Sequence, residues 1–236
     1  MSLKIHIFLG PPGSGKGTQA SLIAKRKPGF VHVSSGNILR AQILKKTPIG
    51  IAIESRMNSG ELVDDETILN CAFDSFMTLR QQKSPPSDIL LDGIPRNIFQ
   101  GESLQKWVSS QPGISLGKII YFQAGRNEII HRFSDRRICQ TCQKSFDLKS
   151  LNKQKDDCNT CHGEGPYYQR EDDKPDIVGH RFDIFQELTY PLVEFYKKEN
   201  QVHILSALLP IEEIYDKVSN LLQDNQSDPS ALVGDV

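Results

Sequence analysis

The sequence predicts an α/β fold, a parallel five-stranded sheet with helices on both faces. Three observations carry that expectation. Short apolar runs rich in β-branched or aromatic residues fall at 5–9, 30–33, 89–91, 118–122 and 202–205, and runs of that length and make-up read as strands. Between them apolar residues return at helical spacing, in Ile68, Leu69, Ala72, Phe73 and Phe76 and again in Phe182, Phe185, Leu188 and Leu192. Strand alternating with helix gives parallel strands, because each crossover is covered by a helix. The third observation is a glycine-rich loop directly after the first run.

In chain order, the strand at 5–9 leads into Gly10-Pro11-Pro12-Gly13-Ser14-Gly15-Lys16, which matches GxxxxGK and opens the helical pattern 17–25. Such a loop turns successive N–H groups toward one centre, and the helix N-terminus behind it adds partial positive charge, so it wraps a phosphate chain. Gly13, Ser14, Gly15, Lys16, Gly17 and Thr18 are the candidate triphosphate contacts, and the fold is of the P-loop NTPase type. Gly17 stands where a Ser or Thr usually holds Mg²⁺, with Thr18 one place later.

Two stretches break the strand–helix rhythm. Residues 34–63 hold more helix than a crossover needs, with Thr47-Pro48 as a helix start and Ser59-Gly60 as a stop. Residues 135–173 are polar, poor in aliphatics and carry four of the five cysteines, so that segment needs a source of stability other than a core. The expected division is a core of 1–33, 64–134 and 174–223, a helical insert 34–63, a second insert 135–173, and a polar tail 224–236 expected to be disordered.

Several segments together resemble the adenylate kinase family. GPPGSGKGTQA has that family's Gly between Lys and Thr. VSSGNILR at 33–40, GELVDDE at 60–66, LLDGIPRN at 90–97 and QREDDKP at 169–175 are similar to its other signatures, in the same order. The resemblance spans about residues 4 to 210. It implies transfer of the terminal phosphoryl group of ATP to AMP, giving two ADP, with Mg²⁺. It also implies that 34–63 binds the nucleoside monophosphate and that 135–173 is a lid closing over both nucleotides.

The chemistry argues in parallel. A monophosphate nucleophile is already mostly dianionic at pH 7, since its second pKa is near 6, so no general base is needed. Positive charge and exclusion of water are needed, and guanidinium groups match phosphate oxygens two at a time. By resemblance, Arg40 and Arg96 hold the acceptor phosphate, while Arg132, Arg136, Arg170 and Arg181 surround the transferring phosphates. Arg137 reads as a surface residue. Lys16, Arg96, Arg132, Arg136, Arg170 and Arg181 are the candidate catalytic residues. The ATP site adds Ser145, Phe146 and Leu209 to the loop, Arg132 and Arg136. The AMP site takes Ser35, Arg40, Glu61, Leu62, Val63, Gly93, Ile94, Pro95, Arg96, Gln100, Arg170 and Arg181, with the Gln100 amide offering a donor and an acceptor to adenine. Asp92, ending the third strand, is placed to orient Mg²⁺ through its water shell. Asp172 and Asp173 are expected to brace the arginines.

Cys139-Gln-Thr-Cys142 and Cys158-Asn-Thr-Cys161 form two CxxC pairs, the spacing of a closed four-thiolate structural zinc site. One group of adenylate kinases carries such a lid. Cys71, alone on an apolar stripe, reads as a buried core residue.

Other functions are weighed against these residues. Twenty-eight basic and 29 acidic side chains leave a net charge of −1, so no chain-wide field recruits polyanions. A zinc ribbon binding nucleic acid on a nucleotide-regulated scaffold is the alternative of a different class, and the acidic residues interleaved in 147–173 oppose it. Simple nucleotide hydrolysis would leave Arg40, Arg96 and Gln100 without a role. Within the family, a UMP/CMP kinase or a GTP-using kinase is the alternative, and Asn97 is the residue pyrimidine relatives favour. No apolar run reaches a membrane span and no export signal precedes the loop. A cytoplasmic monomer working on ATP, AMP and ADP, without nucleic acid or membrane, is therefore expected.

Overall fold

Across the central sheet the strands run in the order 30–34, 88–92, 3–9, 114–123 and 202–206, all parallel. In chain order the elements are β1 (Leu3–Leu9), α1 (Lys16–Arg26), β2 (Phe30–Ser34), α2 (Ser35–Leu44), α3 (Pro48–Asn58), α4 (Asp65–Arg80) and β3 (Asp88–Asp92). There follow α5 (Ile98–Ser110), β4 (Ile114–Gln123), α6 (Arg126–Asp135), β5 (Arg136–Cys139), β6 (Ser145–Asp147), β7 (Tyr167–Tyr168) and a 3₁₀ turn at Glu171–Asp173. The chain closes with α7 (Pro175–Ile184), a π turn at Phe185–Thr189, α8 (Tyr190–Lys198), β8 (Val202–Ser206) and α9 (Ile211–Gln223). This computed structural model describes residues 2–141, 145–147, 167–198 and 201–223. Cys142, Cys158, Cys161 and the tail 224–236 lie outside the described residues.

Each predicted strand is present because both sheet faces are covered, which makes strand sequences continuously apolar. Ile5, Ile7 and Leu9 of β1 pack with Leu69, Ala72 and Phe76 of α4, Leu104 of α5, and Leu192 and Tyr196 of α8. The alternate residue Phe8 faces the other way, to Ala20 and Ile23 of α1 and to Ile214, Val218 and Leu221 of α9. Because β1 has β3 on one side and β4 on the other, its carboxyl end opens into the crevice where such sheets bind ligands.

Helix starts near that crevice are fixed by side-chain caps. Thr47 accepts from Gly50 N–H at 3.0 Å with Pro48 in the first turn of α3, and Asp64 accepts from Thr67 N–H at 2.8 Å at α4. Asn97 caps α5, accepting from Gln100 N–H at 2.8 Å. Each satisfies an N–H that the first helical turn leaves unpaired.

Two sequence expectations are corrected here. Cys71 is only half-buried on α4, as is Phe73, which stacks on Trp107 with ring centroids 4.6 Å apart. Leu188, expected on the buried stripe, is 39% exposed, and Thr189 is buried in its place. The cause is the π turn. Pro191 has no N–H, and its ring would press on the carbonyl four residues back in a regular helix. The chain opens instead to a five-residue turn closed by Tyr190 N–H on Phe185 C=O, which carries Leu188 outward and Thr189 inward.

The excursion after α6 forms a small antiparallel sheet, β6-β5-β7, in which Cys139 pairs with Tyr167 and Arg136 with Asp147. Among the described residues no helix is long and apolar enough to cross a membrane.

Candidate active site

The loop after β1 leads to Lys16, the first residue of α1. Gly13 has φ +77°, and a Cβ there would lie 2.7 Å from the Phe133 ring, so only glycine fits. The half-buried Lys16 ammonium turns back on its own loop. Its Nζ donates to Gly10 O (2.7 Å), Pro11 O (2.8 Å) and Ser14 Oγ (3.3 Å). Burial lowers its pKa to about 8; Asp92 opposes that fall, and Arg96 and Arg181 deepen it.

Asp92 ends β3 beside this loop. Burial works to raise its pKa, but His32, Lys16 and Arg96 outweigh burial and hold the carboxyl below its ordinary value. His32 Nε2 lies 3.5 Å from Asp92 Oδ2, and its Nδ1 meets Ser21 Oγ at 3.1 Å. A Cβ on Gly17 would sit 3.1 Å from Asp92 Oδ2. The missing side chain at 17 thus leaves open the space over an ionised carboxylate, which suits a hydrated divalent cation held through water.

The predicted arginines converge on the same crevice. Arg132 donates to Gly13 O at 3.3 Å and to Ala207 O. Arg136 Nε donates to the fully buried Asp173 at 2.8 Å, with Nη2 on its other oxygen, and the guanidinium lies 4.2 Å from the Phe133 ring centroid. Arg181 Nη1 donates to Asp172 O and Oδ2, both at 2.9 Å, and its guanidinium lies 5.4 Å from the same ring. Arg96 Nε donates to Gly93 O at 2.8 Å, and Arg40 Nη2 reaches Asn37 Oδ1 at 3.3 Å. Burial lowers the pKa of Arg40 to about 10, with Arg170 as the largest like charge, and of Arg96 to about 10, with Arg181 next. Burial likewise lowers Arg181, where Asp172 opposes and Arg136 adds to the effect. Like charges gathered this closely repel one another, a cost that a bound polyanion relieves. Arg137 instead donates to Ser134 O and Arg136 O.

Three buried polar atoms lack hydrogen-bond partners among the described residues at this site: Arg170 Nε, Ser35 Oγ and His32 Nε2, the last of which meets Asp92 only as an ion-pair contact at 3.5 Å. Ser35 faces Gly93, where a Cβ would fall 2.2 Å from its Oγ. Glu61, Leu62 and Val63 lead from α3 to α4, with Val63 buried and Glu61 Oε1 2.7 Å from His180 Nε2 on α7. Ile94 and Pro95 are buried before Arg96. Thr18 is exposed on α1. Phe146 packs edge-on against Tyr167 (5.4 Å), Ser145 is exposed beside it, and Leu209 packs on the α1–α9 core. Ser145 and Phe146 pair with Ile138 and Arg137 in the β5–β6 ladder, but among the described residues no side-chain hydrogen bond or ring contact ties these three to the site arginines.

Gln100 is 2% exposed and already engaged. Its Oε1 accepts from Arg96 N–H (2.7 Å), and its Nε2 donates to Asp65 Oδ1 (2.7 Å). A backbone N–H can only donate and a carboxylate only accept, so the amide orientation is fixed, with one N–H and one lone pair unused among the described residues. Asn97 Nδ2 also donates to Asp65, at 3.0 and 3.1 Å to its two oxygens. Phe133 and His32 carry no motif of their own, and Asp65 lies in GELVDDE with no role assigned to it there. The faint signals are an aromatic next to Arg132, a His two residues before Ser34, and a second acid in the Asp64-Asp65 pair.

A family model described as Adenylate kinase matches residues 8–201. The chain belongs to the adenylate kinase family. The adenylate kinase of Hydrogenobaculum sp. (strain Y04AAS1) is 35% identical over 218 residues, covering 92% of this chain and 100% of the relative. That of Borreliella burgdorferi is 36% identical over 217 residues, covering 92% and 97%. That of Thermosipho africanus is 33% identical over 218 residues, covering 92% and 98%. As a member of the adenylate kinase family the chain is an enzyme, a nucleotide-binding phosphotransferase. The sequence expectation of a four-thiolate metal site falls mostly outside the described residues. Among the described residues no group of three or more His, Cys, Asp and Glu could hold a metal. Cys139 itself is buried at the end of β5.

Proposed function

We propose that the chain reversibly transfers the γ-phosphoryl group of ATP to AMP, giving two ADP. The observation that carries this reading is the convergence of Lys16 with six arginines at the carboxyl ends of β1 and β3, where Arg170 Nε and Ser35 Oγ are buried without hydrogen-bond partners among the described residues. Lys16 leaves the loop carbonyls for the β- and γ-phosphates. Arg40 and Arg96 hold the acceptor phosphate, which attacks as a dianion. Arg132, Arg136, Arg170 and Arg181 neutralise charge on the transferring group, with Asp172 and Asp173 fixing two of them in place. Asp92 would hold a hydrated Mg²⁺ through water, and the ion would supply neutralising charge to the phosphates.

The boundaries follow the same reading: residues 34–63 bind the monophosphate, and 135–173 form a lid. Arg136 and Arg170 from the lid and Arg181 from α7 act at one phosphate, so the lid closes over bound nucleotides and excludes water. A ligand of two adenosines joined by five phosphates is expected to reduce the radius of gyration in small-angle scattering. Identical profiles with and without it would rule out closure.

Zinc in the lid is supported by the two CxxC pairs and by the strand register. Tyr167, six residues after Cys161, pairs with Cys139, which brings the two ends of the cysteine-bearing stretch together. Four thiolates there would stabilise a small sheet with little apolar core. Cys158→Ser is expected to lower the unfolding temperature while leaving activity in the cold, and elemental analysis of the wild type to find one Zn²⁺ per chain. Metal-free protein, purified reduced and without chelators, would exclude the site.

Acceptor choice is read by Gln100, whose unused N–H and lone pair can meet adenine while Arg96 and Asp65 hold the amide still. Losing that pairing costs ~1–3 kcal/mol, about tenfold to a hundredfold in selectivity. The test is kcat/KM for AMP, GMP, CMP and UMP with ATP and with GTP as donor, repeated for Gln100→Ala. AMP is expected to lead, by a margin the variant narrows. CMP or UMP outrunning AMP would move the chain to the pyrimidine kinases.

A further inference from the structure

We propose that Thr189, placed by the π turn, is a positioning residue for Arg96 and so sets the enzyme's affinity for its acceptor. This rests on the reading that Arg96 holds the acceptor phosphate. Thr189 is 6% exposed, and its Oγ1 donates to Arg96 C=O at 2.7 Å. The same residue's N–H is held by Gln100 Oε1 at 2.7 Å and its Nε by Gly93 O at 2.8 Å. Main chain and guanidinium base are thereby pinned from three sides. The two terminal nitrogens of Arg96 take no hydrogen bond among the described residues and point with a fixed direction at whatever phosphate arrives.

Two independent features build this clamp. Asp65 holds Gln100, so the N–H side of the clamp is itself braced from α4. On the carbonyl side, the wide turn over Phe185–Thr189 is what brings Thr189 inward and sends Leu188 out to 39% exposure. In a regular α-helical turn the two residues would straddle the buried face, and the apolar Leu188 would compete for the place facing Arg96. Pro191 keeps that turn open, because its ring opposes the tighter one. The Arg96 carbonyl would otherwise be a half-buried acceptor without its partner, free to swing with the loop that carries the guanidinium. Small displacements of a phosphate-holding group cost large factors in binding and rate.

The test compares Thr189→Val, which keeps the shape and removes the donor, with Thr189→Ser, which keeps the donor. Steady-state KM is measured for the acceptor that wild type prefers and, separately, for ATP. Thr189→Val is expected to raise the acceptor KM about tenfold and leave the ATP KM unchanged, and Thr189→Ser to restore most of the loss. Equal KM values in Val and wild type, or parallel rises for both substrates, would overturn the proposal. So would a fall in unfolding temperature with an unchanged ratio of the two KM values. If Val fails to fold, Thr189→Ala against Thr189→Ser gives the same comparison. The underlying reading is judged apart, on wild type alone: an acceptor other than AMP changes the substrate used and leaves the comparison intact, whereas no acceptor at all removes both.

Discussion

Lys16→Met is expected to lower turnover by ~10²–10³, the range for loss of one preorganised charge at a developing anion, while the unfolding temperature changes little. The contacts it loses are to Gly10 O, Pro11 O and Ser14 Oγ, all within its own loop, and none of them joins packed elements. Burial already holds the Lys16 pKa at about 8 in the free site, so methionine replaces a group that folding places at a cost. The same value gives a pH test. A bound triphosphate favours the charged lysine and raises its pKa, so between about 8 and the new value ATP binding takes up a proton. Affinity for ATP should therefore fall as pH rises through 8. Calorimetry in buffers of different ionisation heat should show that uptake in wild type and not in Lys16→Met. Turnover within about tenfold of wild type, ~1.4 kcal/mol of barrier, would remove Lys16 from the chemistry.

Much of this was legible before any coordinates, for identifiable reasons. The five strands were readable because sheets covered on both faces write continuous apolar runs, and the loop because strand, glycines, Lys16 and helix come consecutively. The start of α3 is written in Thr47-Pro48, whereas the cap that Asn97 makes on α5 was not read from the sequence. What stayed hidden depends on three bodies at once. Phe133 is an ordinary helical aromatic until Gly13, 120 positions earlier, is laid against its ring and Arg136 and Arg181 over it. Asp65 reads as one more acid at a helix start, where negative charge is usual, yet it holds Asn97 and Gln100 together. The exchange of Leu188 for Thr189 was not visible: Phe182, Phe185, Leu188 and Leu192 read as one regular stripe, and how the chain answers Pro191 depends on its tertiary packing, including Phe185 against Tyr121.

Arg181→Met is the second change with a large expected effect, and it separates charge from packing. The stem of Arg181 fills a position against Gly60, where a Cβ would lie 2.8 Å from Arg181 Cγ, and methionine reproduces most of that stem. What it removes is the guanidinium that faces Asp172, lies over Phe133, and feels Arg136 and Arg170. Two effects on stability oppose one another. Asp172, half-buried, loses its donor, a loss below the ~1–3 kcal/mol of a fully buried polar group, and relief of repulsion among the remaining cations offsets part of it. The unfolding temperature should therefore fall modestly. Turnover should fall by ~10²–10³, because the group acts on charge that develops only during transfer, and the fall should appear in kcat at saturating ATP and AMP. Arg181→Lys restores the charge but lacks the planar fork that meets both Asp172 and a phosphate, so it should recover only a fraction of the rate. A loss confined to KM, or full recovery with lysine, would reduce Arg181 to the counter-ion of Asp172.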